Sequence, residues 1–322
     1  MSEARRAQPG AEEVLSYFET LSNWGRWGAD DRRGTLNLIT PEKVVEASRL
    51  IERGVVVPLG RDLDPAAGDP LERGTELSLD TTSYEIGRVQ AFRERVGLMS
   101  HGSPTHIDAP NHMAWDGRWY NGAPVAGSDG LGPAMEQARG GIVTRGVLLD
   151  IAGLRGQNWI EEGDGIYRED LEAAERAQGV EVRPGDLLLS RTGYLERIAA
   201  HPDSVTPGSI GYHASCLPWL RERDVAVIGS DALNDMNPSG FGTDRPVTPE
   251  EYGTRPADEL DLAFPIHAVV LAAMGAWLLD NVWLAGLRDA CEREGRWEFF
   301  VAFDPLLVVG ASGSPVNPLA IF

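Results

Sequence analysis

Three of the six histidines of this 322-residue chain stand close together, in His101-Gly102-Ser103-Pro104-Thr105-His106-Ile107-Asp108-Ala109-Pro110-Asn111-His112. In an extended segment, residues two apart point the same way, so His106 and Asp108 can offer an imidazole and a carboxylate to one ion. Pro110 forbids regular ladder pairing and bends the chain, which returns His112 toward the same point. Gly102 and Pro104 can fold the backbone so that His101 joins them. Imidazole nitrogens with a carboxylate suit zinc, manganese or iron better than magnesium or calcium. A lone His beside an Asp is ordinarily a surface pair or a satisfied core residue. Three imidazoles and a carboxylate stiffened by Gly and Pro point instead to a divalent transition-metal site.

The elements that must position this segment are short and mixed. A first helix is expected over Glu12 to Leu21, followed by an aromatic loop, Asn23-Trp24-Gly25-Arg26-Trp27-Gly28. A second helix follows Thr40 as N-cap, with Pro41 at its first position and Gly54 after its end. Strand-like runs occur at Val55 to Val57, Leu77 to Leu79, Ile142 to Ile151, Leu187 to Leu189, Val225 to Ile228 and Glu298 to Val309, the last running into a Gly/Ser/Pro tail. Helical patterns lie between them at Arg168 to Ala177 and His213 to Arg223. The fold class expected is mixed α/β, in a single domain over 1–322 with an N-terminal arm at about 1–40. No repeat, low-complexity tract or linker composition interrupts it. Asp62 to Arg73 and Asn234 to Arg255 read as pocket-shaping loops without a specificity code.

Composition removes several classes of function. A formal net charge of -20 repels phosphate backbones and anionic lipids, so neither nucleic acid nor a membrane is an expected partner. Met1 to Gly10 is polar and cannot be a secretory signal. The longest apolar run, Ala268 to Leu279, is shorter than the ~20 residues of a membrane helix, and a cytoplasmic protein is expected. Cys216 and Cys291 lack metal-site spacing and support no disulfide scaffold. Lys43, the only lysine, is placed on a solvated helix face, which removes Schiff-base chemistry. Gly310-Ala311-Ser312-Gly313 is neither a phosphate loop nor a nucleophile elbow, and no dinucleotide fingerprint follows a strand.

The segment Thr105-His106-Ile107-Asp108-Ala109-Pro110-Asn111-His112 resembles the signature of the cyclase-like metal hydrolase family, which includes bacterial kynurenine formamidases and isatin hydrolases. That signature is His-x-Gly-Thr-His-x-Asp-x-Pro-x-His. Trp24 to Asn37, Asp116-Gly117, Gly185-Asp186-Leu187-Leu188 and Gly229-Ser230-Asp231 sit in the order expected of the longer members, so the resemblance spans nearly the whole chain. It implies a swivelling β/β/α fold, a small-molecule substrate and a homo-oligomer, dimer or tetramer. It implies His101, His106 and Asp108 as metal ligands and His112 as catalytic acid/base. A later His and Glu complete the family's centre, matched best by His267 in Pro265-Ile266-His267 and by Asp280.

Two departures stand out. His101 precedes His106 by five positions where the family has four, leaving Gly102 in the aligned place. Asp280 stands where glutamate is usual, and could instead N-cap a helix beginning near Asn281. For His267 the alternative is a buried histidine on the apolar face of Ile266 to Met274, and ligation is favoured. The reaction implied is hydrolysis of an amide, formamide or lactone carbonyl by metal-activated water, with His112 moving the proton. Trp27 and Trp115 are placed as substrate-lining residues. His201 and His213 receive no role beyond packing or capping. Two other readings fit the same residues: a metal-dependent cyclase or dehydratase of natural-product assembly, and a non-catalytic metal-stabilised binding protein.

Overall fold

Runs such as Leu187-Leu188-Leu189 and Val227-Ile228, apolar at every position, suit strands covered on both faces, and that is how they are used. The computed structural model describes residues 8–64, 77–125, 132–161, 163–202, 209–241 and 262–322. Residues 65–73 and 242–255 of the two expected pocket loops therefore lie outside the described residues. The strands are β1 (Val56–Pro58), β2 (Ser78–Ile86), β3 (Val89–Gly97), β4 (His106–Asp108), β5 (Ile142–Asp150), β6 (Leu187–Arg191), β7 (Val227–Ser230), β8 (Trp277–Asp280), β9 (Glu298–Phe303), β10 (Gly313–Pro315) and β11 (Leu319–Ile321). Nine of them form one sheet in the order β1-β11-β9-β5-β6-β7-β8-β4-β10. β5 to β8 are parallel, and antiparallel strands extend both edges. The class is mixed α/β, as expected.

Alternate side chains of the parallel strands enter different layers. Val147, Leu149, Leu188, Ile228 and Leu278 pack beneath helices Arg168–Gln178 and Leu217–Glu222. Leu148, Leu187, Leu189, Val227 and Leu279 pack on the opposite side with Leu59, Met135, Leu287 and Phe299. Each such side chain contributes about 1.5–3 kcal/mol on burial. Helix Arg168–Gln178 starts where the Asp170 carboxylate accepts the Tyr167 N–H at 2.9 Å, and stops at left-handed Gly179.

Helix Pro41–Ser48 begins as read, with Thr40 accepting the Lys43 N–H, but it ends well before Gly54. Lys43 is not solvated. Its Nζ lies 2.6 Å from Asp186 Oδ1, with side-chain exposures of 9% and 0%. A long aliphatic stem lets lysine cross an apolar layer to a buried acceptor, which helical periodicity alone does not reveal.

Two segments differ from expectation. The strand expected to reach Val309 ends at Phe303, and the Gly/Ser/Pro tail beyond carries two further strands, β10 and β11. β2 and β3 form a separate antiparallel hairpin, exposed on both faces over most of its length. No helix among the described residues is long and apolar enough to cross a membrane.

Candidate metal centre

β4 is the short extended piece that the His-x-Asp spacing requires. It is held between β8 and β10, and its register sets His106 opposite Asp280 and Asp108 opposite Gly313. Directly opposed residues share a face, so His106 and Asp280 project together while Ile107 enters the core. A turn in which His112 N–H donates to Ala109 O at 2.8 Å then brings His112 back. His267 arrives from helix Pro265–His267, which continues as the π-helical segment Ala268–Met274.

Asp108, His267 and Asp280 form one three-donor group, with His106 beside it. His106 Nε2 is 3.7 Å from both Asp108 Oδ1 and Asp280 Oδ2. His267 Nε2 is 3.7 Å from Asp108 Oδ2 and 3.3 Å from Asp280 Oδ2. Donors about 2.1 Å from a tetrahedral ion stand about 3.4 Å from one another, so this spacing fits a cation of zinc size. Asp108 is shared with a second group, since the donor atoms of His101, His106 and Asp108 also lie within 4.8 Å of one another. His101 Nδ1 donates to Asp108 Oδ1 at 2.7 Å, and its Nε2 lies 2.9 Å from Ser312 Oγ. The His101 and His112 rings stack with centroids 4.0 Å apart. His101 therefore reaches the cluster despite its one-residue displacement from the family spacing.

Each inward-facing ring is tied from behind. His106 Nδ1 donates to Pro104 O at 2.8 Å, leaving Nε2 as the donor to an ion. His267 Nδ1 lies 2.6 Å from Asp235 Oδ2. Such outer contacts fix ring orientation and tautomer at metal sites. Nitrogen and carboxylate donors with these anchors fit a divalent transition ion, and zinc, manganese and iron all accept them.

The electrostatics agree. Burial alone would raise the Asp108 carboxyl, but the imidazoles of His112, His101 and His106 outweigh it and hold the group well below the usual carboxylate range. Burial, with the neighbouring rings and against the pull of Asp108, lowers His112 to about 4, so its ring is neutral at pH 7. Burial would lower His267, yet Asp235 and Asp280 raise it well above the ordinary imidazole value. A positive charge at this point is favoured.

His101, His106, Asp108, His112, His267 and Asp280 are thus brought together. The helix after Asp280 starts at Ala285, with Leu284 before it, so Asp280 does not cap it. The tryptophans stand apart from this group in their contacts: Trp115 stacks on Phe18 at 3.8 Å, and Trp27 lies beneath the Arg26 guanidinium. His213 caps, its Nδ1 accepting the Ser215 N–H, and His201 packs on Trp159. Sequence reasoning missed Asn234, Asp235 and Ser312. The Asn-Asp pair in the loop a few residues after a buried strand was the available signal.

The Cyclase family model matches residues 57–234, more than half of the 322 residues, and the chain belongs to that family. Among solved structures, one described as a novel cyclase superimposes with a TM-score of 0.77 at 30% identity, covering 94% of this chain and 100% of that one. Isatin hydrolase A from Ralstonia solanacearum gives a TM-score of 0.55 at 22% identity, covering 87% of this chain and 97% of that one. Isatin hydrolase A from Labrenzia aggregata, bound to benzyl benzoate, gives 0.56 at 18% identity with the same coverages. At those two identities the likeness is one of fold. No curated protein sequence gives a match.

Proposed function

We propose that this protein is a metal-dependent hydrolase acting on an amide, formamide or lactone carbonyl of a small substrate. The observation that carries the reading is the gathering of His106, His267 and Asp280 around Asp108, with a further imidazole, His112, at the rim. A divalent ion held there supplies Lewis acidity and lowers the pKa of water toward neutrality. His106 and Asp108 on β4 would hold the ion together with His267 and Asp280. His101 and His112 form the accessible side, with side-chain exposures of 24% and 26% against 1–7% for the other four. A substrate carbonyl approaches past them. His112 Nε2, 3.9 Å from Asp108 Oδ2, is unprotonated at pH 7, and takes the water's proton and delivers it to the leaving nitrogen or oxygen.

The test is metal content by mass spectrometry on the wild type and on Asp108→Ala, followed by a panel of arylformamides, cyclic imides and lactones. About one or two zinc, manganese or iron ions per chain, lost in the variant, are expected from the shared position of Asp108. A wild type that takes no transition metal after reconstitution ends the reading. A buried donor set tied by outer contacts also suits a closed, structural ion. That second reading requires the chelated protein to unfold, whereas a catalytic centre leaves it folded.

We further propose a homo-oligomer. The β2–β3 hairpin leaves Leu79, Tyr84, Ile86, Val89, Phe92 and Val96 42–63% exposed. An isolated two-stranded hairpin is marginal in water, and a second copy of the chain covers such a surface.

A further inference from the structure

We propose that Asn234–Asp235 is the positioning element of the metal centre, each residue aligning one of the two ligands that lie far from β4 in sequence. The inference rests on the metal-centre reading above and concerns residues that are not themselves in the ligand set.

Both residues are fully buried, on the loop that leaves β7 at Ser230. Asp235 uses both carboxylate oxygens on a single target. Oδ1 accepts the Ile266 N–H at 2.8 Å, and Oδ2 accepts the His267 N–H at 2.8 Å and meets His267 Nδ1 at 2.6 Å. One carboxylate therefore caps the start of the helix and grips the ring it carries. With Nδ1 committed as donor, Nε2 is left toward Asp280 Oδ2 and Asp108 Oδ2, the only orientation in which its lone pair serves an ion.

Asn234 does the same for Asp280. Its backbone N–H donates to Asp280 Oδ1 at 3.1 Å, and its Nδ2 donates to the same oxygen and to Leu279 O at 3.2 Å. Oδ1 is occupied, so Oδ2 is the oxygen presented to His267 and His106. The amide orientation is set by chemistry: reversed, it would point its oxygen at a carboxylate and a carbonyl. Its own Oδ1 is buried with no partner among the described residues, so the side chain is held there through its NH₂. Aspartate has one methylene less reach than glutamate, and fixing its rotamer from behind is what allows it to serve.

The near-isosteric change Asp235→Asn separates these ideas. An amide keeps only one of the two acceptor oxygens, so it cannot serve both Ile266 N–H and His267, and an amide N–H facing Nδ1 drives the ring proton to Nε2, where the lone pair is needed. Zinc affinity, measured by competition with a chromophoric chelator, should fall about 10–100-fold while the metal-free protein melts near the wild-type temperature. Asn234→Ala removes the side-chain donor and keeps the backbone one, so a smaller loss of affinity is expected. If Asp235→Asn fails to fold, Asn234→Ala decides, because it discards an unpartnered oxygen and leaves the helix cap intact. Folded variants that bind zinc within about threefold of the wild type, short of the loss typical of outer-contact changes, overturn the proposal and leave the hydrolase reading standing. A wild type that binds no zinc overturns both.

Discussion

Replacing Lys43 by methionine should destabilise the protein in a pH-dependent way. Lys43 Nζ is 2.6 Å from Asp186 Oδ1, and Asp186 Oδ2 also accepts Arg145 Nη1 at 3.2 Å and the Arg183 N–H at 2.8 Å. Burial raises the Asp186 carboxyl above its ordinary value, although Arg145 and Lys43 pull it down. Removing one partner of a buried pair costs about 3–5 kcal/mol, and with Arg145 still in place the low end, about 3 kcal/mol, applies. Losing that partner raises the carboxyl further. A raised folded-state pKa means that the folded protein keeps a proton the unfolded chain has lost, so stability falls as pH rises through the window between the two values. The variant moves the upper edge of that window higher. Its deficit relative to wild type should therefore be small near pH 4 and grow toward pH 8. Urea unfolding followed by tryptophan fluorescence at several pH values reads this directly. A deficit under about 0.5 kcal/mol at pH 8, the scale of an ordinary surface change, would refute the reasoning. So would a deficit that shrinks with rising pH.

His112→Ala should keep its metal and lose about 10²–10⁴ in turnover, the usual worth of a placed acid/base; near-full activity on the substrate panel would remove His112 from the chemistry. Gly313→Ala puts a methyl group against the His101 ring, within 2.7 Å of both its nitrogens. It should displace the ring from Asp108 and Ser312, and an unchanged zinc affinity would show that His101 does not hold the ion. Phe92→Glu on the exposed hairpin should lower the sedimentation coefficient by dissociating copies, and a wild type that already sediments as a monomer contradicts the oligomer.

What was legible in the sequence shares a physical basis. His106 and Asp108 are two apart, so the strand period alone puts them on one face, and the structure places them there as β4. Three of the four parallel strands, β5, β6 and β7, were legible because burial on both faces removes polar alternation, whereas β8 was not read as a strand. Lys43 was misplaced because a charged residue in an amphipathic helix is ordinarily solvated, and its acceptor lies 143 positions away. The hairpin was visible only at Leu77 to Leu79, since exposed strands carry polar residues on both faces and lose the alternation that marks a half-buried strand. The C-terminal tail has the composition of a loop, yet pairing with β4 and β9 makes it sheet.

Asp280 shows why the later ligands needed the fold. In sequence it precedes a helix, where aspartate is a common cap, and nothing local separates that role from ligation. The register does: pairing of β4 with β8 puts Asp280 directly opposite His106, while the next helix begins at Ala285. The two oxygens then divide, Oδ1 to Asn234 and Oδ2 to the imidazoles. A side chain placed by strand register and held by a residue 46 positions away leaves no periodic trace. His106 and Asp108, two apart on β4, do leave one, and for that reason one half of the candidate centre was readable from spacing while the other required the sheet.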